Sequence, residues 1–212
     1  LVVGADGLHA GVRALAFGPE SGFRRDLGFA FAGFSVDGRW GLDRETLVHN
    51  TPGRMAGCYA VRGQSGLVGM LAFATPAGFT VDPHNLAAQR DVVAAAFPGG
   101  GWEVPRLVAA MRTADDFFFD TVSQIRMPAW SAGRVALVGD AAYAPALLSG
   151  QGTSLARVGA YVLAGELASA GGDHGTAFAA YERALRPFVE RNQDLATTGG
   201  ATTGGATTGG SI

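Results

Sequence analysis

The sequence predicts an α/β fold. Two strand–glycine–acid–helix units lie far apart in the chain, an antiparallel sheet is inserted between them, and helices close the C-terminus. Three observations predict it. Gly133 to Ala142 reads as a buried strand that stops at Gly139, with Asp140 at once behind it, and Ser149-Gly150-Gln151-Gly152-Thr153-Ser154 follows as a glycine-flanked helix start. A second strand, glycine and acid sequence opens the chain at Leu1 to Arg13. Between the two, Leu27 to Ala74 breaks into short apolar or alternating runs separated by Gly- and Pro-rich turns.

The elements follow in order. Leu1-Val2-Val3 is a strand, and Asp6 is placed to cap the turn behind it. Capping and ligand binding are equally good readings of Asp6 alone. Arg13 could anchor a phosphate, although a single surface arginine seldom does. Leu27–Val36, Glu45–Asn50, Met55–Arg62 and Gly66–Ala74 have the texture of an antiparallel meander. Phe29, Phe31, Trp40 and Phe73 are candidates for an apolar pocket wall, and core packing explains them equally well. Asp82-Pro83 signals a helix start, with Asp82 as cap, running to about Phe97. A shorter helix spans about Val104 to Ala114, and Phe117–Val122 is a returning strand. Met127 to Trp130 turns into the central strand.

That central strand, Val135 to Val138, is a continuous apolar run, as in parallel strands covered on both faces. Gly139 permits a sharp turn, and Asp140 then falls at the strand's carboxyl end, where open α/β sheets place ligands. A helix follows from about Thr153 to Ala170, with Leu155, Val158, Val162, Leu163 and Leu167 on its apolar side. Gly159 and Gly165 allow close packing. A last helix runs from about Gly175 to Leu195, with Phe178, Tyr181, Leu185 and Phe188 as its stripe. Glu182 and Arg186 are spaced to pair, and Pro187 is a bend or restart. The Thr/Gly/Ala-rich repeat over 196–212 cannot build a core and is expected to be disordered.

Composition narrows the function classes. Sixteen basic against eighteen acidic residues give a net charge of −2, which provides no basic surface for nucleic acid. No apolar run reaches membrane-spanning length, so no membrane partner is expected. Cys58 is the only cysteine, which suits a cytoplasmic setting. His9, His49, His84 and His174 are scattered without metal-ligand spacing, so no metal is expected. No triphosphate-binding loop is present, no G-x-G-x-x-G follows a strand, and no catalytic triad stands out. What remains is two acids at strand ends, suited to sugar or polyol hydroxyls, beside a helix start suited to an electron-rich carbonyl or anion. That describes a cofactor site better than a hydrolase.

At these residues the sequence resembles the FAD-dependent aromatic hydroxylases, the single-component flavoprotein monooxygenases. Gly4-Ala5-Asp6-Gly7 with Val12-Arg13 is similar to their "DG" motif. Trp130 through Ala142 with Gly150-Gln151-Gly152 is similar to their "GD" motif and its helix. The two stand in the family's order, more than 130 residues apart. The resemblance implies a partial FAD-binding Rossmann-like domain from residues 1–24 and 126–195, with an inserted antiparallel β-sheet substrate domain at 25–125. It implies FAD as cofactor, NAD(P)H as reductant and a small aromatic or polyketide-like substrate. Asp140 would bond the ribityl chain, with Gly139 before it in the same cofactor site, and Gly150 to Ser154 (Gly150, Gln151, Gly152, Thr153, Ser154) would hold the flavin ring. Asp6 would help bind FAD and NAD(P)H, and Gly7 and Arg13 of the same motif would belong to the cofactor site. No acid–base residue need lie in this segment, and the catalytic group is left unassigned.

The chain departs from the family pattern at several positions. Ala10 replaces the usual serine, Tyr143 the usual histidine and Leu147 a proline, and Arg157 falls in a segment that is usually apolar. The family's dinucleotide fingerprint would lie upstream of Leu1, so the chain reads as a C-terminal portion. A flavin-dependent reductase on the same scaffold, or a non-catalytic remnant unable to hold FAD, are the alternatives. Nothing in the sequence sets the oligomeric state.

Overall fold

The computed structural model describes residues 1–38, 40–63 and 65–202, the last five of these by backbone alone. The chain divides into two compact units, Leu1–Leu27 with Ser123–Ile212, and Gly28–Val122.

The first unit holds a three-stranded sheet in the order β1 (Val2–Gly4), β8 (Val135–Leu137), β7 (Ser131–Ala132). β1 and β8 are parallel, with Val3 opposite Ala136 and Gly4 opposite Leu137. β7 pairs antiparallel with β8 through a tight turn at Gly133, whose φ is 55°. The sequence led Met127–Trp130 straight into the central strand. The short β7 was missed because two residues carry no readable alternation. Ala136 and Leu137 are fully buried, as expected for a strand covered on both faces.

Four helices belong to this unit: α1 (Gly11–Phe17), the single turn α4 (Asp140–Tyr143), α5 (Gly152–Ser169) and α6 (His174–Thr202). Leu155, Leu163, Phe178, Tyr181, Leu185 and Val189 pack with Trp130 and Leu137 into one core. Three periodicity readings need correction. Val158 lies on the exposed side of α5, and Gly165 has no neighbour that a side chain would meet. Phe188 is 41% exposed, and Val189 takes its place in the core. A 3.6-residue period tolerates such one-position slips, and packing alone settles them.

α6 also runs past the expected end at Leu195, through Pro187 and into the first residues of the Thr/Gly repeat. The rest of that repeat, 203–212, lies outside the described residues. Glu182 and Arg186 form the expected ion pair. The pair does more than brace a helix. Glu182 accepts from the Trp130 N–H at 3.0 Å, and Arg186 donates to the Met127 and Pro128 carbonyls at 3.1 Å each, pinning the turn into β7.

The five-stranded sheet runs in the order β3 (Thr46–Thr51), β4 (Arg54–Ala60), β5 (Leu67–Ala74), β2 (Arg24–Val36), β6 (Phe118–Ile125). The expected meander holds only for β3, β4 and β5. β2 joins on the far side of β5, with Phe31 opposite Ala72 and Phe34 opposite Gly69. Pairing across such a crossover leaves no local trace in sequence.

Two helices, α2 (Leu86–Ala96) and α3 (Val104–Thr113), share one core with one face of this sheet. α2 starts later than Asp82-Pro83 suggested. Asp82 instead accepts from the His84 N–H at 2.8 Å and closes a turn, and Asn85 is the cap, accepting from the Ala88 N–H at 3.0 Å. Among the described residues no helix is long and apolar enough to cross a membrane.

Gly69 shows how tightly the helix-covered face is built. A Cβ there would lie 2.4 Å from the Phe34 ring and 2.9 Å from a Val36 methyl. Gly69→Ala is therefore expected to destabilise the protein by about 1–3 kcal/mol, measured by urea unfolding.

Candidate functional site

The parallel pairing of β1 with β8 brings the two distant motifs together. The Val138 N–H donates to the Gly4 carbonyl at 2.9 Å, so Gly4-Ala5-Asp6 and Gly139-Asp140 leave the sheet side by side. Gly4 has to be glycine. A Cβ would lie 2.6 Å from a Leu137 methyl and 2.8 Å from a Val12 methyl, so its absence lets α1 close onto the strands. Gly7 turns the chain at φ 84°.

Asp6 is exposed, and its carboxylate accepts from the Val12 N–H at 3.0 Å, in the first turn of α1. The capping reading of this residue is thus realised, reached from outside the helix. Ala10, the residue at the cap position, offers no side-chain acceptor.

Arg13 is not the surface arginine that the sequence suggested. It is 1% exposed. Its guanidinium donates to the Leu8 carbonyl at 2.6 Å, to Glu20 at 2.6 Å and to the Ala141 carbonyl at 3.0 Å. Two of these acceptors belong to the first motif's own surroundings and the third to α4. Arg13 therefore cross-links the two motifs, and its two terminal nitrogens, Nη1 and Nη2, face protein acceptors rather than an open phosphate site. Glu20 also accepts from His9 at 3.0 Å and from Arg24 at 3.1 Å, and these partners hold its carboxyl below the usual range despite partial burial.

Gly139 turns at φ 67°, and a Cβ there would lie 3.1 Å from the Ala156 methyl of α5. Asp140 follows, exposed to water, at the start of α4. Its surroundings still desolvate the carboxyl enough to raise it above the ordinary aspartate range. Gly152, the first residue of α5, is close by, since a Cβ there would come within 3.8 Å of an Asp140 carboxylate oxygen. The loop between holds Ala146 at φ 73°, ψ 155°, a region that is nearly glycine's alone. Gly150 is left-handed at φ 64°. Gln151 donates its N–H to the Ser149 hydroxyl at 3.1 Å and caps α5 without a side-chain bond. Among the described residues the N–H groups of Gly152, Thr153 and Ser154 have no protein acceptor, and they point along the positive end of an 18-residue helix.

The site thus joins an exposed carboxylate to a row of free N–H donors. That donor set suits a molecule with neighbouring hydroxyls and an electron-rich edge. All ten sequence-derived site residues fall in one unit, and nine of them lie at the two strand ends or the α5 start. Arg13 stands behind them.

Comparison with known proteins narrows the reading. No protein-family model matches the chain. An uncharacterized protein of Mycobacterium tuberculosis is 46% identical over 204 residues, which is 95% of this chain and 55% of that protein. A flavin-dependent monooxygenase from an unknown prokaryote is 43% identical, over 91% of this chain and 50% of the relative. An FAD-dependent monooxygenase of Sarocladium schorii is 34% identical, over 94% and 50%. Among solved structures, the tetracycline destructase Tet(51) superposes with a TM-score of 0.86 at 32% identity, over 96% of this chain and 55% of that one.

The chain is a homologue of the flavin-dependent monooxygenases. It spans about half the length of the curated relatives it matches. The flavoprotein fold expected from the two motifs is the fold observed, with a mixed α/β arrangement and an antiparallel five-stranded sheet.

Sequence reasoning missed the group that fixes α4. Tyr143 and Tyr181 are buried, with their hydroxyls 3.0 Å apart and the Tyr181 hydroxyl 3.1 Å from the Leu137 carbonyl. Burial raises both phenols, so both stay protonated. The useful signal was Gly159, read only as a generic close-packing glycine. A Cβ there would sit 1.9 Å from the Tyr143 hydroxyl.

Two outcomes follow from this geometry. Arg13→Leu leaves two carbonyls without their donor and takes from Glu20 its buried partner, leaving it His9 and Arg24, and is expected to cost about 3 kcal/mol in chemical unfolding. Asp140 behaves in the opposite sense. Its raised carboxyl means that the folded state disfavours the charge, so ionisation opposes folding above the folded pKa and the penalty fades below the unfolded value of about 3.9. Asp140→Asn is expected to raise the unfolding midpoint at pH 7, with the gain shrinking as the pH is lowered to about 3.

Proposed function

We propose that this chain forms the flavin-ring and substrate portion of an FAD- and NAD(P)H-dependent monooxygenase acting on an aromatic or polyketide-like small molecule. The observation that carries the reading is the convergence of Asp140 with the free N–H groups of Gly152, Thr153 and Ser154. In this reading Asp140 accepts hydrogen bonds from the ribityl hydroxyls, and the α5 donors face the electron-rich pyrimidine edge of the ring. Asp6 and Gly7 border the same strand ends, while Arg13 holds those ends together. Bound FAD, reduced by NAD(P)H, supplies the oxygen-activating chemistry. The protein's part is to bind, orient and exclude water, and no acid–base side chain is assigned.

The five-stranded sheet supports the substrate class. Ala30, Ala32, Phe34 and Val36 of β2 are buried in the core shared with the helices. Phe29 and Phe31 alternate with them and lie on the other face, half-buried, with Met70 and Ala72 of β5 at neighbouring positions. This face is apolar and suits a planar, largely unsaturated substrate. The four aromatic candidates therefore divide. Phe73 packs edge-to-face on Phe79 and Phe97 in the helix-side core, and Trp40 packs against the same core with the Arg106 guanidinium 3.9 Å above its ring. Phe29 and Phe31 remain as wall residues. A cytoplasmic setting fits a soluble reductant such as NAD(P)H.

Free FAD titrated into the purified chain tests the reading. The chain has no G-x-G-x-x-G after a strand to grip the adenosine, so binding is expected to be weaker than micromolar. Asp140→Asn is expected to weaken it further by tenfold or more, followed by flavin fluorescence and absorbance. Equal affinity of the two proteins would remove Asp140 from the site, and a stoichiometric yellow complex at micromolar FAD would contradict the weak grip. Substrate-dependent incorporation of labelled dioxygen separates a monooxygenase from a reductase.

A further inference from the structure

We propose that Tyr143 is a positioning residue, seated in a notch that only Gly159 can provide, and that this lock sets the distance between Asp140 and the amino end of α5. The functional part of the proposal rests on the flavin reading above. The lock itself rests on geometry alone.

α4 is a single turn, preceded by a glycine at positive φ and lacking a side-chain cap. An isolated turn of this length does not hold itself. Something must therefore fix Asp140, its first residue, against Gly152. The last residue of the turn does so. Tyr143 is 1% exposed, and its hydroxyl lies between two other helices, α6 and α5. Tyr181 on α6 approaches it at 3.0 Å and reaches the Leu137 carbonyl of β8 at 3.1 Å. One consistent proton arrangement has Tyr143 donating to Tyr181 and Tyr181 donating to Leu137. From α5, Gly159 offers bare backbone, and an added Cβ would lie 1.9 Å from the phenol oxygen but 3.1 Å from the ring carbon that carries it.

Gly152, Ala156 and Gly159 of α5 all turn towards the Gly139–Tyr143 segment. A Cβ at Gly152 would meet Asp140, and the methyl of Ala156 abuts the Cβ position of Gly139. The same helix face thus receives both ends of α4. Holding Tyr143 at Gly159 holds Asp140 at Gly152, two helical turns away.

The notch need not be filled at the cost of unfolding. Tyr143 also borders a cavity of ≈220 Å³ with Trp130, Arg186 and Gln193. With a Cβ at Gly159 the ring can swing towards this space, away from Tyr181. The lock can therefore be opened while the core stays folded.

The test is a double-mutant cycle on the whole chain with Tyr143→Phe, Gly159→Ala and the pair. Hydrogen exchange is followed by mass spectrometry over 139–154, with the Gly28–Val122 unit as internal control. Gly159→Ala is expected to speed exchange over 139–154 at least tenfold while the control is unchanged. Adding Tyr143→Phe removes the 1.9 Å contact and is expected to return most of that protection. Tyr143→Phe alone is expected to show a smaller, equally local increase. No increase in Gly159→Ala, an equal increase in both units, or a double variant no better than Gly159→Ala would each overturn the lock. FAD affinity is read in parallel, and in each single variant it is expected to fall at least fivefold. Unchanged affinity with faster local exchange would overturn the positioning role. A wild-type chain that takes up no FAD, with the exchange cycle behaving as described, sinks the flavin reading and leaves the lock standing.

Discussion

The backbone ladder between β1 and β8, which runs from the Val2 N–H on the Arg134 carbonyl to the Val138 N–H on the Gly4 carbonyl, each at 2.9 Å, sets the register on which the geometry of the candidate site depends. Parallel strands end at the same edge, so whatever follows each of them emerges as a neighbour. Here each is followed by an acid. A slip of one residue would turn Gly4 away from Leu137 and Val12, where nothing larger than hydrogen fits. The glycine thus fixes the register as well as the turn, and Arg13 reinforces it by bonding from α1 to the Ala141 carbonyl.

The same economy of small side chains recurs around α5. Gly139 and Gly159 each leave room for a neighbour that a Cβ would crowd or displace. Close approach of this kind draws helix, strand and one-turn helix together while exposing backbone donors at the α5 start. Polar groups complete the assembly from behind. The paired phenols of Tyr143 and Tyr181 bond to each other and to a strand carbonyl, and the Glu182–Arg186 pair pins the turn that leads into β7. Buried polar groups are costly when unpaired, so such networks make a local arrangement specific.

Most element types were legible in the sequence, because strands and helices bury their apolar faces with different periods. The two glycine–acid motifs were legible too, since strained turns and helix starts restrict residue type. The errors have one common form. The local pattern points to Asp82 as a cap where Asn85 serves, to Val158 and Phe188 as interior, and to β2 beside β3 in the sheet. In each case several arrangements satisfied the local pattern, and contacts from distant residues selected one. Arg13 is the clearest example. Nothing within α1 reveals that Ala141 lies close enough to receive its guanidinium.

The sequence by itself determined a strand-end acid, a sharp glycine turn and a glycine-flanked helix start, because backbone sterics confine those residues to those conformations. Tertiary structure decided which side chains face that site and which hold it from behind. Asp140 remained exposed, Arg13 turned inward, Phe29 and Phe31 separated from Phe73, and Tyr143 came to rest at Gly159 of α5, where no Cβ excludes it. The physical reason is range. Conformational restriction acts within a few residues, whereas burial and hydrogen-bond partnership depend on segments that the chain brings together only when it folds.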